Sequence, residues 1–161
     1  MSTNNEPKEL KRVVIKEELV ALTGDAITAL ILNQFLYWTK IINKSDQEIL
    51  KKIESLEKLE LTENISKEKA KLRNGWLWKT AAEMQEEIMI STRPTVDRKI
   101  KELVDKKYIL TRKNQNNKWD RTNHYKVDLK FVAKELKKLG YPLEGYTLVE
   151  DDDEDEEKPI K

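Results

Sequence analysis

Residues 76–128 read WLWKTAAEMQEEIMISTRPTVDRKIKELVDKKYILTRKNQNNKWDRTNHYKVD, and the order of elements within this stretch decides the fold. Asn74-Gly75 gives a turn ahead of it, and Trp76-Leu77-Trp78 is a short strand-like run. A helix is expected from about Thr80 to Ile88, because Thr80 followed three residues later by Glu83 matches a capping box. Met89 to Thr92 leave room only for a tight turn. The next helix takes Ser91 or Thr92 as its N-cap and Pro94 in its first turn, where a missing N–H costs little. Val96, Ile100, Leu103 and Val104 form its inward face, and it should end near Lys107. Residues 108–113 and 122–127 are strand-like, and the asparagine-rich segment between them makes a hairpin with a long tip. Helix, tight turn, helix and two-stranded hairpin together describe a winged helix-turn-helix, in which the second helix enters the major groove and the hairpin lies beside it.

Working outward, the apolar residues Ile27, Leu30, Ile31, Phe35, Trp38, Ile41 and Ile42 recur at helical spacing, predicting a long helix over residues 25–42. Leu32, Leu36 and Tyr37 make a second face apolar, so this should be the central, most buried helix. The segment 13–22 fits a strand or a helical turn equally. Residues 43–73 are charged; Ile49, Ile53 and Leu56 mark a stripe on an expected inserted helix over 46–59, followed by a polar loop. That stripe fits a surface helix laid on the central one, with a contact between copies of the chain as the alternative. Residues 129–139 form a last amphipathic helix, stopped by Gly140 and Pro142. The expected class is therefore mainly α with a small β-hairpin: one winged-helix domain over 13–146, a disordered N-terminus over 1–12 and an acidic, disordered tail over 147–161.

Charge separates along the chain. The formal total is +1, but residues 150–161 hold eight acids against two lysines, a net of −6 that leaves the preceding residues at +7. Residues 93–126 hold eleven Lys and Arg against four acids, the footprint of a polyanion binder. On the second helix of the motif the outer face is Pro94, Thr95, Arg98, Lys101, Glu102 and Asp105, flanked by Arg93 and Lys99. The basic and hydroxyl groups come in the first two turns, where a recognition helix meets base edges. Arg98 is the candidate for a bidentate guanine contact, Thr95 for a phosphate or a thymine methyl, and the helix start with Ser91 or Thr92 for a phosphate. Lys113, Asn116, Asn117, Lys118 and Arg121 cluster at the hairpin tip as candidate phosphate contacts. Trp76 and Trp78 are expected in packing roles; Trp119 either packs back on the hairpin or meets DNA, and His124 is a strand residue facing solvent or DNA.

Other chemistries find little support. The chain has no cysteine and four glycines, and no nucleophile–base pair, phosphate-cradling loop or metal spacing occurs in it, so neither an enzyme nor a cofactor or metal is expected. It begins without the apolar stretch of a signal peptide, and its most apolar run, residues 26–38, is too short to span a bilayer; a cytoplasmic protein without membrane contact is expected.

The stretches ALILNQFLYWTK (29–40), GWLWKTAAEMQEE (75–87), MISTRPTVDRKIKELVDKKYI (89–109), KWDRTNHYKVDL (118–129) and LKKLGYPLEGY (136–146) together resemble winged-helix proteins of phages, plasmids and integrated elements of Gram-positive bacteria. Those relatives are described as replication-associated or initiator-like DNA-binding proteins, and the wing sequence Trp119 to Thr122 is the most specific part of the resemblance. It implies that Arg93 to Lys101 form the recognition helix and Lys113 to Arg121 the wing. It also implies double-stranded DNA as partner, in replication or maintenance of a mobile element, with replication proteins of the host or element as further partners. Transcriptional regulation of such an element and a protein-interaction module remain the alternative readings.

Overall fold

In the computed structural model, which describes residues 6–113, 119 and 122–146, the chain is mainly helical with a small antiparallel sheet. The first helix, α1 (Glu17–Thr23), resolves the ambiguous segment as helical, and Gly24 ends it in the left-handed conformation with φ 75°. Asp25 then caps α2 (Ala26–Lys58): its carboxylate accepts from the Thr28 N–H at 2.9 Å and the Thr28 hydroxyl at 2.8 Å.

Helix α2 runs unbroken for 33 residues, about 50 Å at 1.5 Å per residue. The expected inserted helix over 46–59 is thus the second half of the central helix, and the break at 43–45 is absent. The reason is local. No glycine or proline occurs between residues 26 and 74, and a change from apolar to charged composition alters what a helix buries without ending it. The first half supplies the core, with Ala29, Leu30, Ile31, Leu32 and Phe35 almost fully buried. Burial of each large side chain contributes roughly 1.5–3 kcal/mol relative to exposure. No single helix among the described residues is long and apolar enough to cross a membrane.

The second half of α2 meets α3 (Thr62–Lys69), a helix in the segment expected to be a polar loop. Glu68 of α3 is 7% exposed and takes both Lys71 (2.9 Å) and Lys52 of α2 (3.1 Å) on one carboxylate oxygen. Those two lysines hold its carboxyl below the ordinary range. Ile53 is buried here, apart from the main core.

The chain turns back at Arg73–Trp76, where Asn74 (φ 53°) and Gly75 (φ 84°) are both left-handed and the Trp76 N–H donates to the Arg73 carbonyl at 2.9 Å. Asp46, buried in the middle of α2, anchors this turn by accepting the Arg73 N–H at 3.0 Å and the Asn74 N–H at 2.8 Å.

Strand β1 (Leu77–Trp78) follows, then α4 (Ala81–Ile88), α5 (Arg93–Asp105), β2 (Ile109–Lys113), β3 (Asn123–Val127) and α6 (Leu129–Lys138). The Thr80–Glu83 capping box forms as expected. The sheet order is β1-β3-β2, all antiparallel, with Leu77 opposite Tyr125 and Trp78 opposite His124. Alternation sends Leu77, Ile109, Tyr125 and Val127 to the buried face. Tyr125 meets Phe35 edge to face with ring centres 5.4 Å apart, joining the sheet to α2. Val96, Ile100 and Leu103 of α5 are buried, with Val104 packed at their edge. The expected tail over 147–161 and the first five residues lie outside the described residues.

Candidate nucleic-acid interface

The start of α5 is fixed by its own sequence. Thr92 Oγ1 accepts the Thr95 N–H at 3.4 Å and donates to Thr95 Oγ1 at 3.0 Å, so Thr92, rather than Ser91, is the N-cap. The Ser91 carbonyl instead accepts from Gln85 Nε2 at 3.1 Å and ties the turn to α4. That turn closes on Met89, left-handed at φ 68°, whose N–H donates to the Gln85 carbonyl at 2.9 Å.

At ~100° per residue, Pro94, Arg98, Lys101 and Asp105 form one outward line on α5, and all four are exposed. Arg93 and Arg98 make no hydrogen bond or ion pair among the described residues. Lys101 pairs with Asp97 at 3.1 Å, but the two side chains are 73% and 52% exposed, and such a surface pair is worth little. Its ammonium is therefore cheaply transferred to another anion.

Lys99 departs from the expected outer set. Its side chain is 17% exposed and reaches Asp25 at 3.4 Å and Glu102 at 3.6 Å, clamping α5 to the start of α2. The Asp25 carboxyl is held below its ordinary range, chiefly by the Thr28 N–H and hydroxyl and further by Lys99.

At the hairpin, Lys113 is exposed at the end of β2 opposite Asn123. Trp119 is 93% exposed. Asn116, Asn117, Lys118 and Arg121 lie outside the described residues. A groove of 410 Å³, lined among others by Lys79, Arg93, Asp97 and Asn123, runs between the starts of α4 and α5 and the hairpin stem. It brings the basic start of α5 and the strands into one continuous surface.

The structure corrects the expectation for the tryptophan pair. Trp78 is 52% exposed and Trp76 half-buried, each with an arginine guanidinium over its ring, from Arg73 at 4.1 Å and Arg112 at 4.2 Å. His124 lies against Trp78 on the same outer face of the sheet, with ring centres 5.4 Å apart. Arg73 and Arg112 escaped the sequence reading, although strand alternation does place Arg112 two residues from Leu110 on one face. Met89 and Ile90, 46% and 53% exposed in the turn between α4 and α5, were missed as well. Three or more His, Asp or Glu side chains placed to hold a metal ion do not occur among the described residues.

No family model, curated protein or solved structure matches the chain. The surface itself offers unpaired guanidiniums at Arg93 and Arg98 and a labile ammonium at Lys101 on one exposed helix. Such a surface can bind a polyanion and order it along α5.

Proposed function

We propose that this chain is a non-enzymatic, double-stranded-DNA-binding protein built on a winged helix, with α5 as the recognition helix and the β2–β3 hairpin as the wing. The observation that carries the reading is that Arg98 and Lys101 stand exposed on the outer line of α5 and Arg93 at its start, near the hairpin stem, with neither guanidinium paired among the described residues. The element order and the β1-β3-β2 sheet support it, because that arrangement leaves the outer face of α5 open for a major groove. Arg98 reads a guanine edge; Arg93, Lys101 and Lys113 take phosphates. By its resemblance to mobile-element proteins, the chain acts in the cytoplasm in replication or maintenance of such an element.

The test is fluorescence anisotropy of the purified full chain with labelled duplexes, across about 50–200 mM salt. With phosphate contacts from Arg93, Lys101 and Lys113, log K should fall against log salt with a slope of roughly −2.7. Absence of salt-dependent duplex binding would overturn the proposal.

A further inference from the structure

The sheet face turned away from α5 carries a second surface of different chemistry. Trp78, His124 and Arg112 are cross-strand neighbours in register across all three strands. Trp76, two residues before Trp78, shares their face. The end of α3 and the Arg73–Trp76 turn fold over this row and enclose an open cleft of 500 Å³. Among the described residues, no acidic side chain lines it. Lys71 at its edge is already paired with Glu68, so Arg73 and Arg112 are the principal cations the cleft presents.

Both guanidiniums lie over indole rings, at 4.1 and 4.2 Å from the ring centres. A guanidinium stacked in this way has its position fixed while its in-plane N–H edge stays available to a second ligand. The Nε atoms of Arg73 and Arg112 are buried and have no hydrogen-bond partner among the described residues. Trp78 is 52% exposed beside the two guanidiniums, so the row is open on its outer side. Asp46 accepts the Arg73 backbone N–H at 3.0 Å and so fixes the turn from which the Arg73 side chain reaches Trp78.

We infer that this cleft binds a single-stranded nucleic-acid segment, one base stacking on Trp78 while Arg73 and Arg112 hold the flanking phosphates. The ligand must offer a π-face and an anion a few ångströms apart. An unpaired nucleotide in a strand does so, whereas the bases of an intact duplex are stacked inside. An acidic peptide would use the guanidiniums and leave the indole unused. The inference goes beyond duplex binding through α5 and does not depend on it.

The experiment uses the full chain and a fluorescein-labelled oligothymidylate of about ten nucleotides, within the site sizes of single-strand binders. Anisotropy is measured for the parent, Trp78→Ala, Trp78→Phe, Arg112→Gln and Arg98→Ala. Pyrophosphate and an abasic oligonucleotide of equal length serve as competitors. Trp78 is exposed enough that its loss should leave the fold intact, which melting curves check. The expected result is binding that quenches tryptophan emission, is about fivefold or more weaker in Trp78→Ala, and is largely kept in Trp78→Phe. Arg112→Gln should also weaken it and Arg98→Ala should not; the abasic strand should compete poorly. Three outcomes overturn the inference: no binding of the oligonucleotide, parental affinity in Trp78→Ala, or competition by pyrophosphate or the abasic strand as effective as by the oligonucleotide itself. Loss in Arg98→Ala with none in Trp78→Ala would assign single strands to the α5 surface. Failure of duplex binding, by contrast, would leave these results standing.

Discussion

Replacing Asp46 by alanine should loosen the molecule where its long helix holds the returning chain. The carboxylate is 8% exposed and accepts two backbone N–H groups, from Arg73 at 3.0 Å and Asn74 at 2.8 Å. A hydrogen bond to a charged group is worth about 1.5–3 kcal/mol, and both donors here are only partly buried, so the lower end applies to each. The two together then amount to roughly 2–3 kcal/mol, since bonds to one carboxylate do not add fully. For a chain of this length that is a fall in Tm of about 4–12 °C. Asp46→Asn keeps one acceptor oxygen and should lose about half as much. Thermal melting followed by circular dichroism measures both. Because the same bonds set the Arg73 turn, oligothymidylate binding should weaken along with Tm, while duplex binding stays at the parental level below the melting range. An Asp46→Ala protein melting within about 2 °C of the parent would refute the reasoning, since two unmet N–H groups cannot be that cheap.

Arg98→Ala should weaken binding to a preferred duplex, isolated by selection from a random pool, by about 1–3 kcal/mol with random duplex nearly unaffected; equal loss on both would make Arg98 a phosphate contact. Asp25 has its pKa depressed from the ordinary 3.8, so its stabilising contribution is complete above that value and is lost as pH falls below it. Asp25→Asn keeps an N-capping oxygen and should cost less than about 1 kcal/mol at neutral pH, with parent and variant melting curves converging as pH falls below the ordinary carboxyl range; a gap that stays constant through that fall would show that the carboxylate's charge has no part in it. Ile53→Ala, at a buried site outside the main core, should cost about 2 kcal/mol in chemical denaturation with no change in duplex affinity, and a fall in affinity at unchanged stability would place that half of α2 at the interface.

What the sequence disclosed was local. The Thr80–Glu83 box, the short turn after Ile88, Thr92 ahead of Arg93-Pro94, and the 3.6-residue spacing of Val96, Ile100 and Leu103 each act within a few residues, and each recurs in the structure. The continuity of α2 was hidden because the pattern of buried residues changes at residue 43 although the backbone does not. Helix α3 was hidden for a related reason: its only buried residue is Glu68, so it has no apolar stripe to read. On α5, period alone put Lys99 near the outer face; Asp25, distant in sequence, draws it inward. The Arg73–Trp78 and Arg112–Trp76 stacks depend on strand register and on a turn held from α2, neither of which leaves a local trace.

The pairing of β1 with β3 also bears on the order in which the molecule assembles. The β2–β3 hairpin closes between near neighbours, and α4 and α5 meet across a short turn, so both can form early at small entropic expense. Strand β1 is two residues long and finds its partner only after α4, α5 and the hairpin lie between them. Its docking is therefore expected late in the folding reaction, on the native side of the transition state. Substitutions at Trp78 should therefore show low φ-values, speeding unfolding while leaving the folding rate nearly unchanged. On this order the outer face of the sheet is expected to be the last surface completed and the first to open, with α5 in place before it.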